Sequence, residues 1–81
     1  MSRFFFHLVG GTNFRDTQGT ELPTISAARK EALRFAGDLI RDADHGFWGG
    51  KSWSMTVTDE ADATLFVIDM QATEPPLLKV G

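Results

Sequence analysis

The sequence predicts a two-layer α+β domain of order ββαββ, a four-stranded, mainly antiparallel sheet with one helix packed on one face. Three observations carry that expectation. Residues 3–9 and the run from Trp53 have strand character, the stretch from Thr24 onward has the period of a helix, and clusters of Gly, Asp and Asn separate them. With 81 residues there is room for one domain, expected over residues 1–71, followed by a loosely ordered C-terminal tail at 72–81.

The first strand is aromatic-rich and stops at Gly10, Gly11 and Asn13, residues that tolerate the backbone of a tight turn. The short polar stretch 14–18 reads as a return strand at the sheet edge, closed by Gly19. From Ile25, at 100° per residue, Ala28, Ala32, Phe35, Ala36, Leu39, Ile40 and Ala43 fall on one side. Lys30, Arg34, Asp38 and Arg41 fall on the other, so the helix is half-buried. Thr24 after Pro23 supplies the N-cap, and Gly46 with Gly49 and Gly50 marks the exit. Asp42 and Asp44 oppose the helix dipole and predict a frayed last turn.

In the third strand Trp53, Met55 and Val57 alternate with Ser54, Thr56 and Thr58, giving one dry and one wet face. Asp59, Glu60, Ala61 and Asp62 make a turn, and residues 63–70 return as a strand apolar on both sides. The first and last strands are the most apolar and are expected in the middle of the sheet. Pro75 and Pro76 break any period in the tail, whose Leu77, Leu78 and Val80 can dock elsewhere.

Composition narrows the function classes. Leu, Ile, Val and Phe number 21 of 81, above the level at which chains stay disordered. Eight basic against eleven acidic residues give a net charge of −3, which opposes the counterion release behind nucleic-acid affinity. The absence of cysteine removes disulfides, thiolate nucleophiles and most structural zinc sites. No apolar run approaches the ~18 residues of a membrane span, and the start lacks the apolar stretch of a signal peptide. The expectation is a soluble, cytoplasmic protein without a cofactor or metal.

Arg3, Phe4, Phe5, Phe6 and His7, then Asp16, then Gly19, Thr20, Glu21, Leu22 and Pro23, then residues 28–32, fall in a characteristic order. With Trp53 and the run Val57, Thr58, Asp59, Glu60, the chain resembles a family of short uncharacterised bacterial proteins common in alphaproteobacteria. The resemblance covers about residues 3–70. It implies a bacterial, cytoplasmic origin and no particular chemistry. Family members often have a glycine in the turn after the Asp-Glu pair, where this chain has Asp62.

One helix covers one face of a sheet, so apolar residues on the other face need a cover. On this reading Phe5, His7, Val9, Phe66 and Ile68 lie on the helix-free face and are the interface candidates. The function expected is a non-enzymatic interaction module that associates as a homodimer, or with an unidentified protein, through that face or an edge strand. Single-stranded nucleic-acid binding on the aromatics, and a regulatory or antitoxin-like role, are the alternatives. A small enzyme with His7 as general base is a third, and requires a cleft.

Bland readings stand beside each candidate. His7 is a packed histidine at a sheet face, and His45 is a helix-end residue suited to the C-terminal dipole. Asp59, Glu60 and Asp62 are solvated turn residues without the spacing of a calcium loop. Asp16 and Glu21 bond backbone amides around the turn near Gly19. The glycine pairs at 10–11 and 49–50 match no phosphate-cradling loop, and Trp48 and Trp53 are core or loop anchors.

Overall fold

The computed structural model describes residues 2–11, 13–43 and 52–73. The expectations for His45, Gly46, Trp48, Gly49, Gly50 and the tail beyond residue 73 lie outside the described residues. The elements are β1 (Ser2–Val9), β2 (Thr20–Leu22), α1 (Ile25–Ala43), β3 (Trp53–Thr58) and β4 (Thr64–Met70). They form one antiparallel sheet in the order β2-β1-β3-β4, with α1 on one face, and the predicted α+β class holds.

The strand order corrects two expectations. β4, placed in the middle by its apolar content, is an edge strand, and β3, with its wet face, is central. Chain connectivity decides this: β4 can pair with β3 through a tight hairpin, while the helix returns the chain alongside β1. β2 lies at the opposite edge as expected, but at Thr20–Leu22 and not at residues 14–18. From the expected segment Phe14 alone makes a bridge, to Leu8.

The core follows from strand alternation. Phe4, Phe6 and Leu8 of β1 and Trp53, Met55 and Val57 of β3 are buried beneath the helix, with Met55 and Val57 fully enclosed. Against them α1 presents Ala28, Ala32 and Ala36, all buried, a stripe of methyl groups at four-residue spacing. Flanking it, Phe35 meets Phe6 edge-on, ring centroids 6.4 Å apart, while Leu39, Ile40 and Ala43 are half-buried. Ile25, the first helical residue, is exposed, which narrows the predicted apolar side at its start.

The helix begins as the sequence requires. Thr24 Oγ1 accepts the Ala27 N–H at 3.1 Å and Thr24 O accepts the Ala28 N–H, so the cap satisfies one of the free donors of the first turn. The outer face carries the ion pairs of Arg34 with Glu31 and Asp38 and of Arg41 with Asp38. Among the described residues no helix is long and apolar enough to cross a membrane.

At the far end of the sheet, Asp59 O accepts the Asp62 N–H and Asp59 Oδ1 accepts the Ala61 and Ala63 N–H groups, each at 2.9–3.0 Å. Asp62 has φ 65°, the left-handed position that a three-residue hairpin loop needs. The register then slips between Val57 and Thr58: Val57 pairs with Phe66 and Thr58 with Thr64, so Leu65 is the extra residue of a bulge. Leu65 and Phe66 consequently both pack against the core.

Gly11 lies flat against the Trp53 indole, where a Cβ would stand 2.0 Å from ring atoms. Gly11→Ala should displace the buried tryptophan and destabilise the domain by about 1–3 kcal/mol. At about 4–8 °C per kcal/mol for a chain of this size, thermal unfolding followed by tryptophan fluorescence measures it.

Candidate functional site

A cluster of polar side chains lies where β1 runs past the segment joining Phe14 to β2. Leu8 exchanges both backbone hydrogen bonds with Phe14, at 2.8 and 2.9 Å, so the Leu8 N–H and C=O point toward that edge of β1. By the two-residue period, the Phe6 N–H points there as well. A regular ladder would set Asp16 opposite Phe6. The chain takes six residue steps from Phe14 to Thr20 against four from Leu8 to Phe4, so the return segment bows out and leaves no backbone acceptor for Phe6.

The Asp16 side chain fills the gap. Its Oδ2 accepts the Phe6 N–H at 3.1 Å, and its Oδ1 accepts the Gln18 and Gly19 N–H groups at 3.1 and 3.0 Å. Gly19 closes this turn at φ 74°, with Arg3 and Phe5 side chains close enough to exclude a Cβ. Partial burial alone would raise the Asp16 pKa, but the three amide donors, from Gly19, Phe6 and Gln18, outweigh it and hold the carboxyl below its ordinary 3.8.

His7 projects from β1 onto the helix-free face and is 9% exposed. The Asp16 N–H donates to its Nδ1 at 3.0 Å, and its Nε2 lies 3.1 Å from Thr58 Oγ1, a diagonal neighbour on β3. A nitrogen that accepts an amide proton carries none itself, so the ring is neutral with its proton on Nε2, donated to the buried Thr58 hydroxyl. The Phe5 ring lies parallel to the imidazole, 6.4 Å away. Over these two rings is an open cavity of about 320 Å³, walled by Arg15 and Asp16 on one side and by Asp59, Glu60 and Asp62 of the β3–β4 turn on the other. Arg15 bridges the rim to Asp62 at 3.4 Å.

Both imidazole nitrogens are engaged with the fold, and three of the four rim carboxylates have structural partners: Asp59 caps its own turn, Asp62 faces Arg15 and Asp16 holds β1. Among the described residues no group of three or more His, Asp or Glu is placed to hold a metal ion. Glu21, grouped with Asp16 in the sequence, pairs instead with Arg3 at 3.4 Å.

The five interface candidates do not share a face. Phe5, His7 and Val9 point away from the helix, whereas Phe66 and Ile68 pair with Val57 and Met55 and pack against the helix-side core. This corrects their grouping: β4 parity is fixed by the hairpin and its bulge, which set Phe66 beside Val57. On the helix-free face β4 instead shows Val67 and Asp69, with Asp69 accepting the Ser54 hydroxyl at 2.8 Å. Apart from Val9 and Val67, that face is polar or walled by the 15–17 segment, so it is less apolar than the sequence suggested.

A family model described as a domain of unknown function, DUF6894, matches residues 3–71. No curated protein and no solved structure matches the chain.

Removing the Asp16 carboxylate should destabilise the fold by about 2–3 kcal/mol in Asp16→Ala, because the Phe6 amide loses a charged acceptor. The pH dependence has a definite sign. A carboxyl held below 3.8 contributes fully above that value and loses its contribution as pH falls through the folded-state value. The stability gap between wild type and Asp16→Asn, from urea unfolding, should therefore be constant at neutral pH and narrow only below pH 3.8.

Proposed function

Since the chain belongs to the DUF6894 family, a domain of unknown function, we propose from its geometry a non-enzymatic interaction module that self-associates through the β4 edge. The observation that carries this reading is the position of β4. It is a seven-residue strand at the end of the sheet, and among the described residues nothing pairs with its outer side. Leu65, Phe66, Val67 and Ile68 follow one another along it, and of the devices that blunt natural edges it carries the bulge at Leu65 and the charge of Asp69 but no lysine, proline or short length.

The occupant favoured is a second copy of the chain. An antiparallel β4–β4 pair about a two-fold axis is self-complementary, and continues the two four-stranded sheets as one of eight strands. The half-buried Phe66 and Ile68 would then close against their equivalents on the helix side, and the 48%-exposed Val67 on the other. Seven residues at about 3.4 Å each give a seam of roughly 24 Å. A domain this small buries a modest fraction of its surface alone, which adds to the benefit of pairing.

The rival readings have less support. A stacking platform for single-stranded nucleic acid needs Phe5 and Phe66 on one face, and they lie on opposite faces. A general base at His7 needs a free ring nitrogen, and both are occupied. A regulatory or antitoxin-like partner protein would use the same edge by strand addition, and so counts as a variant of this reading.

Sedimentation equilibrium at micromolar concentration should give a dimer, and Val67→Lys should convert it to a folded monomer with unchanged circular dichroism. A wild-type monomer at that concentration would remove the self-association reading.

A further inference from the structure

We infer that the Asp16–His7 contact is an acid-opened latch on the segment 14–19: its bond from the Asp16 N–H to His7 Nδ1 forms only while the imidazole is neutral, and protonation of His7 breaks it while the Asp16 carboxylate keeps its bonds to the Phe6, Gln18 and Gly19 amides. The argument is geometric. Nδ1 is an acceptor, at 3.0 Å from a backbone donor, inside a buried ring. A proton arriving on Nδ1 turns that contact into two donors facing each other, and the Asp16 amide loses its partner. Nε2 offers no relief, since its proton is already given to Thr58 Oγ1.

Among the described residues the charged groups facing the ring are Asp59, Glu60 and Asp62 from the β3–β4 turn and the Asp16 carboxylate and Arg15 of the segment, while Arg3 on β1 is paired with Glu21. Imidazole is the side chain suited to change charge between pH 5 and 8. The anchors at Phe14 and at β2 keep the segment attached at both ends.

Nitrogen-15 NMR of the intact chain tests this. At neutral pH the His7 ring should show the Nε2–H tautomer. Between pH 8 and 5 the Asp16 amide should lose roughly tenfold of its hydrogen-exchange protection in step with ring protonation, after correction for the intrinsic pH dependence of exchange. The Met55 and Val57 amides of β3 should keep theirs, which separates local opening from unfolding. His7→Asn, whose amide oxygen can accept the same N–H, should abolish the step. A proton on Nδ1 at neutral pH, or Asp16 protection that does not follow the ring titration, would overturn the latch.

Discussion

A carboxylate stands where a β-strand is missing, and much of this fold's first half depends on it. β1 pairs with β2 over three residues and with Phe14 at one, and between these contacts the Phe6 amide faces a partner segment that has bowed away. An unpaired backbone donor there would carry a penalty of about 1–3 kcal/mol. Asp16 removes that penalty and bonds two further amides of its own turn, so one side chain closes the gap in the sheet and shapes the loop around it. Its backbone N–H then fixes the His7 tautomer, and His7 in turn ties β1 to Thr58 of β3. The sequence of bonds runs from the irregular edge to the centre of the sheet.

The helix and the third strand were legible in the sequence because each satisfies one period over many residues. Thr24, the alanine stripe and the alternation of Trp53, Met55 and Val57 all appear where local pattern places them. The extent of β2 was not legible, because Asp16 and Gly19 act through an Asx turn that replaces two ladder positions, and polarity alone cannot distinguish that from a short strand. Sheet order was misjudged for a related reason. Apolar content separates edge from centre only when edges are polar, and β4 is an apolar edge.

The candidate site was half legible. His7 stood out as a histidine among aromatics, and its packed character follows from the strand. That Asp16 would meet it depends on the two-residue excess in the return segment, which only the pairing register reveals. Phe66 and Ile68 show the complementary difficulty. Alternation within a strand says which residues travel together, but the face they share with another strand is set by a turn and a bulge, here at Asp62 and Leu65.

Ala28, Ala32 and Ala36 give the helix a flat underside, and the sheet answers with the bulky side chains: Phe4, Phe6, Met55 and Val57. Interdigitation is therefore one-sided. The spacing between the layers is governed from below, and the helix rests on the sheet as a plank does on cobbles. Such a seat resists approach from above but offers few knobs to block sliding along the helix axis. Lateral position comes from the flanking side chains, Phe35 against Phe6 near the middle and Leu39 and Ile40 packed on the core beyond it. The outward side, including the exposed Leu33, is left without a role in holding that alignment.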